Sequence, residues 1–138
     1  MINLIKRDRC ENDKLTETVI GCAMEVHRHL GPGYLESVYE KALMIELRRA
    51  GISCQSQMPL NVTYRGEVVG EFVVDMLVEG RVIIELKACQ TLHQRHEAQV
   101  INYLVATGYE IGLLINFGSD SLQFKRKFRL FHRATQSC

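Results

Sequence analysis

Three residues in this sequence carry charge where the surrounding pattern calls for hydrocarbon: Asp75 within "FVVDMLV", and Glu85 and Lys87 within "VIIELKA". Holding an ionised group inside a protein costs several kcal/mol unless it is paired or binds an ion. Strand side chains alternate faces, so Glu85 and Lys87 project to one side with Ile83, while Val82, Ile84 and Leu86 face the other. A plain Glu85–Lys87 pair at the solvent end of a strand accounts for that tripeptide taken alone. Asp75 shifts the balance. The intervening "VEGR" contains a hairpin turn centred on Glu79 and Gly80, which brings Asp75 opposite Ile84 or Glu85 in an antiparallel pair. Neighbouring carboxylates repel in a low dielectric, so either one is protonated or a cation lies between them. Oxygen-only ligands with a lysine alongside favour a hard ion such as Mg²⁺, which keeps several waters and takes one or two protein carboxylates.

The elements that must position these residues follow from the hydrophobic period. Leu15, Val19, Cys22, Ala23, Val26 and Leu30 recur at helical spacing until "GPG" at Gly31 to Gly33. Leu35, Val38, Tyr39, Ala42, Leu43 and Leu47 define a second helix that stops at Gly51. "PLNVTY", "VVGEFVVDMLV" and "RVIIELKA" then read as three antiparallel strands separated by "RGE" and "EG". A third helix is expected over 92–107, with Ala98, Ile101, Leu104 and Val105 as its apolar stripe and Gly108 as its stop. "IGLLINF" reads as a strand buried on both faces and "LQFKRKFRLF" as a last strand. The order α-α-β-β-β-α-β-β implies an α+β (α/β) fold with a mixed sheet flanked by helices.

A length of 138 residues suits a single domain, spanning residues 1–138, in which the first 13 residues are expected to be a loose segment. At 46% hydrophobic and 24% charged, with no apolar run near the roughly 18 residues of a membrane span, the composition is that of a soluble protein without a membrane partner. "MINLIKRDRC" turns charged before an apolar leader could form, and five scattered cysteines without a CxxC pair suit a reducing compartment, so a cytoplasmic location is expected. A net charge of +1 gives no global steering toward a polyanion, and any nucleic-acid contact needs a local patch.

Asp75 followed by Glu85-Leu86-Lys87 resembles the D…(D/E)xK signature of the PD-(D/E)xK nuclease superfamily, and "GYLESVYEKAL", with Gly33, Glu36 and Tyr39, resembles the pattern of its GxxExxY family. The resemblance runs from Leu15 to Leu130 and takes in "HEAQVINYL" and "GLLINFG". It implies a restriction-endonuclease-like fold and a Mg²⁺-dependent nuclease, with Mn²⁺ a possible substitute, acting on nucleic acid and on DNA in particular. By the same resemblance Asp75 and Glu85 are metal ligands, with the Leu86 carbonyl as a third. Lys87 orients or deprotonates the attacking water, and Glu36 is an additional acid. Gln99 and Tyr103 share a helix face at i and i+4 and resemble the QxxxY motif of RecB-type members, which contacts the substrate phosphate or holds active-site residues. Phosphodiester hydrolysis needs an activated water, a cation and in-line positioning, which a metal beside an ammonium can supply. Val74 stands where the superfamily's proline would be.

Other residues offer less. His93 and His96 match no zinc spacing, and His27 and His29 lie about 200° apart on a helix, too far round to share a metal. "FKRKFRLFHR" could track a phosphate backbone, although alternating cations on an edge strand also block edge pairing. A non-catalytic module on the same fold, or a hydrolase of another phosphate ester, remains a rival reading. One small near-neutral domain has limited surface for a duplex, and a homodimer or partner protein would supply more.

Overall fold

The computed structural model describes residues 2–129, with side chains from residue 11 onward. Helices α1 (Ile2–Leu30) and α2 (Glu36–Arg49) precede strands β1 (Cys54–Tyr64), β2 (Glu67–Val78) and β3 (Val82–Lys87); α3 (Gln94–Thr107), β4 (Ile111–Asn116) and β5 (Gln123–Phe128) follow. This is the element order that the sequence predicts. Helix α1 begins at Ile2, well ahead of Leu15, where its apolar period starts. Residues 130–138, which include Leu130, Phe131, His132 and Arg133 of the basic terminal stretch and Cys138, lie outside the described part.

The five strands form one sheet in the order β1-β2-β3-β4-β5. All neighbours are antiparallel except β3 and β4, which run parallel from Val82 beside Ile111 to Lys87 beside Asn116. A parallel pair needs a long crossover, and α3 provides it. Both hairpin turns, Arg65-Gly66 and Glu79-Gly80, have two residues at positive φ, the mirror-image turn that suits twisted strands.

Two cores sandwich the sheet. Val19, Ala23 and Val26 of α1 and Tyr39, Leu43 and Leu47 of α2 pack with Met76, Val82, Ile84, Leu86, Leu113 and Ile115 on one face. On the other, Val100, Tyr103 and Leu104 of α3 meet Leu60, Val74, Leu77, Ile83 and Leu114. The stripe predicted for α3 is therefore rotated: Val100 and Tyr103 are buried, while Ala98 and Val105 are exposed. Apolar residues occupy more than one side of this helix, so its period alone does not choose the buried face. The sheet chooses it, because Gly112 leaves room for Val100, whose Cγ1 lies 2.7 Å from where a Cβ would stand.

Besides a register shift between Val62 and Thr63, the pleat slips at Asp75. Val74 and Leu77 both join the α3-side core, although strict alternation would put residues three apart on opposite faces. Residue pairing between β1 and β2 passes from Ser56–Met76 to Met58–Val74 and skips Gln57 and Asp75, and Gln57 has a φ of 53°. Pairing between β2 and β3 also ends at Met76–Ile84, one step before Asp75 would face Glu85. Asp75 is thus released from the residue pairing on both sides.

Candidate active site

The opening in the sheet is closed by side chains. The Asp75 N–H donates to Glu85 Oε1 at 3.1 Å, and the Leu86 N–H donates to Asp75 Oδ2 at 2.8 Å. Each carboxylate takes the place of a backbone carbonyl on the facing strand. The N–H and C=O of one strand residue point the same way, so the Leu86 carbonyl is aimed toward β2, into the same opening. Among the described residues, Asp75 Oδ1 and Glu85 Oε2 have no hydrogen-bond partner, and one oxygen of each carboxylate stays available.

Glu85 is 5% exposed and is the one charged residue that is buried among the described residues. Burial, followed by the negative charge of Asp75, raises its carboxyl from an ordinary 4.5 to about 7, against the opposing Asp75 N–H and the Lys87 ammonium. Lys87 and Asp75 are partly exposed, and Lys87 belongs to none of the ion pairs among the described residues. The charge pattern that the sequence suggests, two acids and a lysine at one end of two strands, is the arrangement found.

Glu36 reaches the same place from α2, where it is the first helical residue. Partial burial of its carboxyl raises its pKa, the Lys87 charge lowers it, and Asp75 and Glu40 raise it again, so these groups lie within electrostatic reach of one another. The turn that delivers Glu36 is fastened by Tyr39. The Tyr39 hydroxyl donates to the Gly31 carbonyl at 2.6 Å and accepts from the Tyr34 N–H at 3.1 Å, while the ring stacks on Phe117 with centroids 4.6 Å apart. Gly31 and Gly33 have φ of 67° and 113°, where a side chain would be strained.

Gln99 and Tyr103 arrive from the opposite side. Gln99 Nε2 donates to the Tyr103 hydroxyl at 3.0 Å. Burial raises the Tyr103 pKa first, and the charges of Glu85 and Asp75 add to it, so its hydroxyl lies within their field. Hydrogen bonds therefore join Asp75 with Glu85 and Leu86, and Gln99 with Tyr103, while the charges of Glu36 and Lys87 bear on Glu85 and those of Glu85 and Asp75 bear on Tyr103.

Four residues bear on this region although the sequence signals no part for them in it. Glu40 accepts from Gln57 Nε2 at 3.0 Å, and its charge bears on Glu36. His96 has a lowered pKa through burial and then the Lys87 charge, which places it near the lysine. Phe117 carries the Tyr39 stack. Asn116, fully buried, bonds four times: its Oδ1 accepts from the Cys89 and Gly118 N–H groups, each at 3.0 Å, and its Nδ2 donates to the Cys89 carbonyl at 2.8 Å and Gln123 Oε1 at 3.0 Å. Nothing in a lone Asn at a strand end signals that role.

The remaining candidates go elsewhere. His27 Nε2 engages the Ser119 carbonyl and His29 Nδ1 the Glu25 carbonyl, so they are apart as their spacing requires. On β5, Arg126 donates to the buried Thr16 and Lys127 pairs with Glu97 at 2.5 Å, which commits two of that strand's cations to the fold. Among the described residues, no three His, Cys, Asp or Glu side chains form a metal cluster by themselves. Two carboxylates and a carbonyl are a donor set that could hold Mg²⁺ with several of its waters, and they do not suit zinc. No described helix is long and apolar enough to cross a membrane.

Comparison with known proteins gives a matching family model, the PD-(D/E)XK nuclease superfamily, over residues 13–128. The crystal structure of SSO0001 aligns with a TM-score of 0.54 at 17% identity, over 72% of this chain and 52% of that one, a likeness of fold. This chain spans about half the length of that protein. No curated protein matches. The mixed sheet, its flanking helices and a family match over most of the length agree, and the chain belongs to the PD-(D/E)XK nuclease superfamily.

Proposed function

We propose that this protein is a Mg²⁺-dependent nuclease that hydrolyses phosphodiester bonds in DNA, with residues 1–138 acting as one nuclease domain of the GxxExxY type. The observation that carries the reading is the reciprocal engagement of Asp75 and Glu85 at a break in the sheet, with Lys87 beside it. Asp75, Glu85 and the Leu86 carbonyl would hold the ion, and Mn²⁺ should substitute. When bound, the ion supplies positive charge to the phosphate oxygens and acidifies water.

The chain's own groups do the rest. Lys87 orients the attacking water and stabilises the charge that develops on the phosphate. Glu36 accepts a hydrogen bond from that water on the α2 side, at the rim where its carboxyl already feels Lys87. Tyr103 presents its hydroxyl toward the phosphate, and Gln99 fixes that hydroxyl's direction. Burial of Glu85 keeps water from screening its own charge, which strengthens its interactions with the ion and with Lys87.

One observation favours the rival, a binding module on the same fold: both carboxylates already satisfy backbone N–H groups, a purely structural task. Titration calorimetry with Mg²⁺ and Mn²⁺, on wild type and on the Asp75→Asn, Glu85→Gln double variant, separates the readings when followed by cleavage assays on labelled single- and double-stranded DNA and RNA. Metal binding and metal-dependent cleavage that disappear together in the variant support the nuclease. Binding without cleavage of any nucleic acid supports the module, and cleavage confined to a small phosphate ester would move the substrate class.

A further inference from the structure

Beside the acidic site lies a cavity of about 590 Å³ between the β1–β2 hairpin and α3. Thr63 and Phe72 line one side, and Gln99, Asn102 and Tyr103 the other. Gln99 and Tyr103 belong to both the cavity and the proposed site, so the two spaces adjoin at the Gln99–Tyr103 hydrogen bond. The volume lies within the range of about 300–1,000 Å³ typical of small-molecule pockets.

The lining differs from the site next door. No Asp, Glu, Lys, Arg or His side chain contributes to it. A phosphate therefore finds no cation inside it, while the Lys87 side of Tyr103 offers one. What the cavity offers is an aromatic face with two amides and two hydroxyls around it, beside an apolar patch of Val62, Val105 and Ala106. Phe72 is 44% exposed, and its ring is tilted 53° from Tyr103 at a centroid separation of 5.8 Å, so the two rings do not stack on each other. Asn102 is exposed on the α3 rim, and its amide can both donate and accept. A neutral, flat, hydrogen-bonding heterocycle fits that combination.

Resting on the nuclease reading, we infer that the cavity between Phe72 and Asn102 receives one unpaired base of the strand whose phosphate lies at Lys87. Phe72 supplies the stacking face, and Thr63 and Asn102 bond the base edge. A base held in a duplex stack cannot enter, so the substrate strand must be single-stranded or must release a base at the cleavage position. A stacking platform on a sheet beside a phosphate-binding group is a general way to hold a strand without reading its sequence, because every base has a π-face.

The test uses dye-labelled single-stranded oligonucleotides in Ca²⁺, each with 2-aminopurine at one position, titrated with the full chain as wild type, Phe72→Ala and Phe72→Tyr. At one position the 2-aminopurine emission should fall about twofold on binding to wild type and to Phe72→Tyr, but not to Phe72→Ala. An abasic site at that position should weaken binding about tenfold. Circular dichroism verifies that each variant is folded, and Phe72→Tyr retains the ring if Phe72→Ala does not fold. Strands that bind with no responsive position, that bind equally well when abasic, or that do not bind at all would overturn the pocket. The nuclease reading fails separately, by absence of metal-dependent cleavage in a protein that still shows the base response.

Discussion

Asp75 and Glu85 sit opposite one another at the point where β2 stops pairing with β3, and each lends a carboxylate oxygen to the other strand's backbone. The arrangement settles two needs at once. An unpartnered buried N–H costs about 1–3 kcal/mol, and the carboxylates remove that cost at Asp75 and Leu86. In doing so they are held in one orientation, with their second oxygens unengaged among the described residues. A site that must hold a cation gains by having its ligands fixed beforehand, since no ordering is then required on binding.

Replacing Glu85 with Gln retains an acceptor for the Asp75 N–H and removes the charge. The Gln variant should fold and lose divalent-ion binding, and its cleavage rate should fall about 10²-fold or more, as when a group that stabilises transition-state charge is lost. Glu85→Ala should in addition lose about 1–3 kcal/mol of stability in urea, because the N–H is orphaned. Parallel denaturation and cleavage assays check both, and a Gln variant as active as wild type would remove Glu85 from the chemistry.

The pH dependence has a definite sign. Folding raises the Glu85 carboxyl from 4.5 to about 7, so between those values the folded state binds more protons than the unfolded chain. Stability contributed at this residue is therefore highest below pH 4.5, declines as pH rises, and levels off above about 7. The full effect is at most about 3 kcal/mol. Without divalent ions, the melting temperature of Glu85→Gln relative to wild type should increase from pH 5 to pH 8. Adding Mg²⁺ should erase most of that trend in wild type and leave the variant unaffected.

Asn116 predicts a loss of a different kind. Its register partner is Lys87, the Phe117 N–H donates to the Lys87 carbonyl at 2.9 Å, and its amide clamps Cys89 two residues on. Gly118 completes the clamp, since a Cβ there would lie 2.5 Å from the Cys89 nitrogen. Asn116→Ala orphans several polar groups and should destabilise the chain by about 2–4 kcal/mol. Asn116→Asp retains the Oδ1 bonds, and its neutral carboxyl can still donate once where Nδ2 donated twice, whereas the ionised form donates nothing and places a charge in a buried site, so it should be the milder variant at pH 5 and the worse one at pH 8. Urea unfolding at both pH values tests this order.

The order of elements and the charged triplet were legible in the sequence because both come from local pattern: period, turn residues and charge within apolar runs. Asp75, Glu85 and Lys87 stand out because strands this apolar have no packing use for a charge. The buried face of α3 was not legible, since Val100, Ile101, Leu104 and Val105 offer two candidate stripes and the choice depends on Gly112, a residue of another element. The slip at Gln57 and Asp75 was equally hidden, because strict alternation is what a sequence reading assumes and the break depends on both hairpin strands together. Glu40 and Asn116 act through partners at 17 and 27 residues' distance along the chain.

Tyr39 ties the turn that carries Gly33 and leads into Glu36 to the sheet. Its hydroxyl fastens the Gly31 carbonyl and the Tyr34 N–H, and its ring is held by Phe117 at the end of β4, so the start of α2 and its Glu36 are tied to the strand next to Lys87. Tyr39→Phe leaves the stack intact and removes both hydrogen bonds. The variant should lose about 1–2 kcal/mol of stability, and its Glu36 should be less well placed, so kcat should fall about tenfold with little change in KM. Glu36→Gln should give a similar loss of kcat at unchanged stability. If Tyr39 acts through Glu36, the double variant should be no slower than Glu36→Gln alone, because the two substitutions remove the same interaction. Multiplying losses would show instead that Tyr39 supports the site by another route.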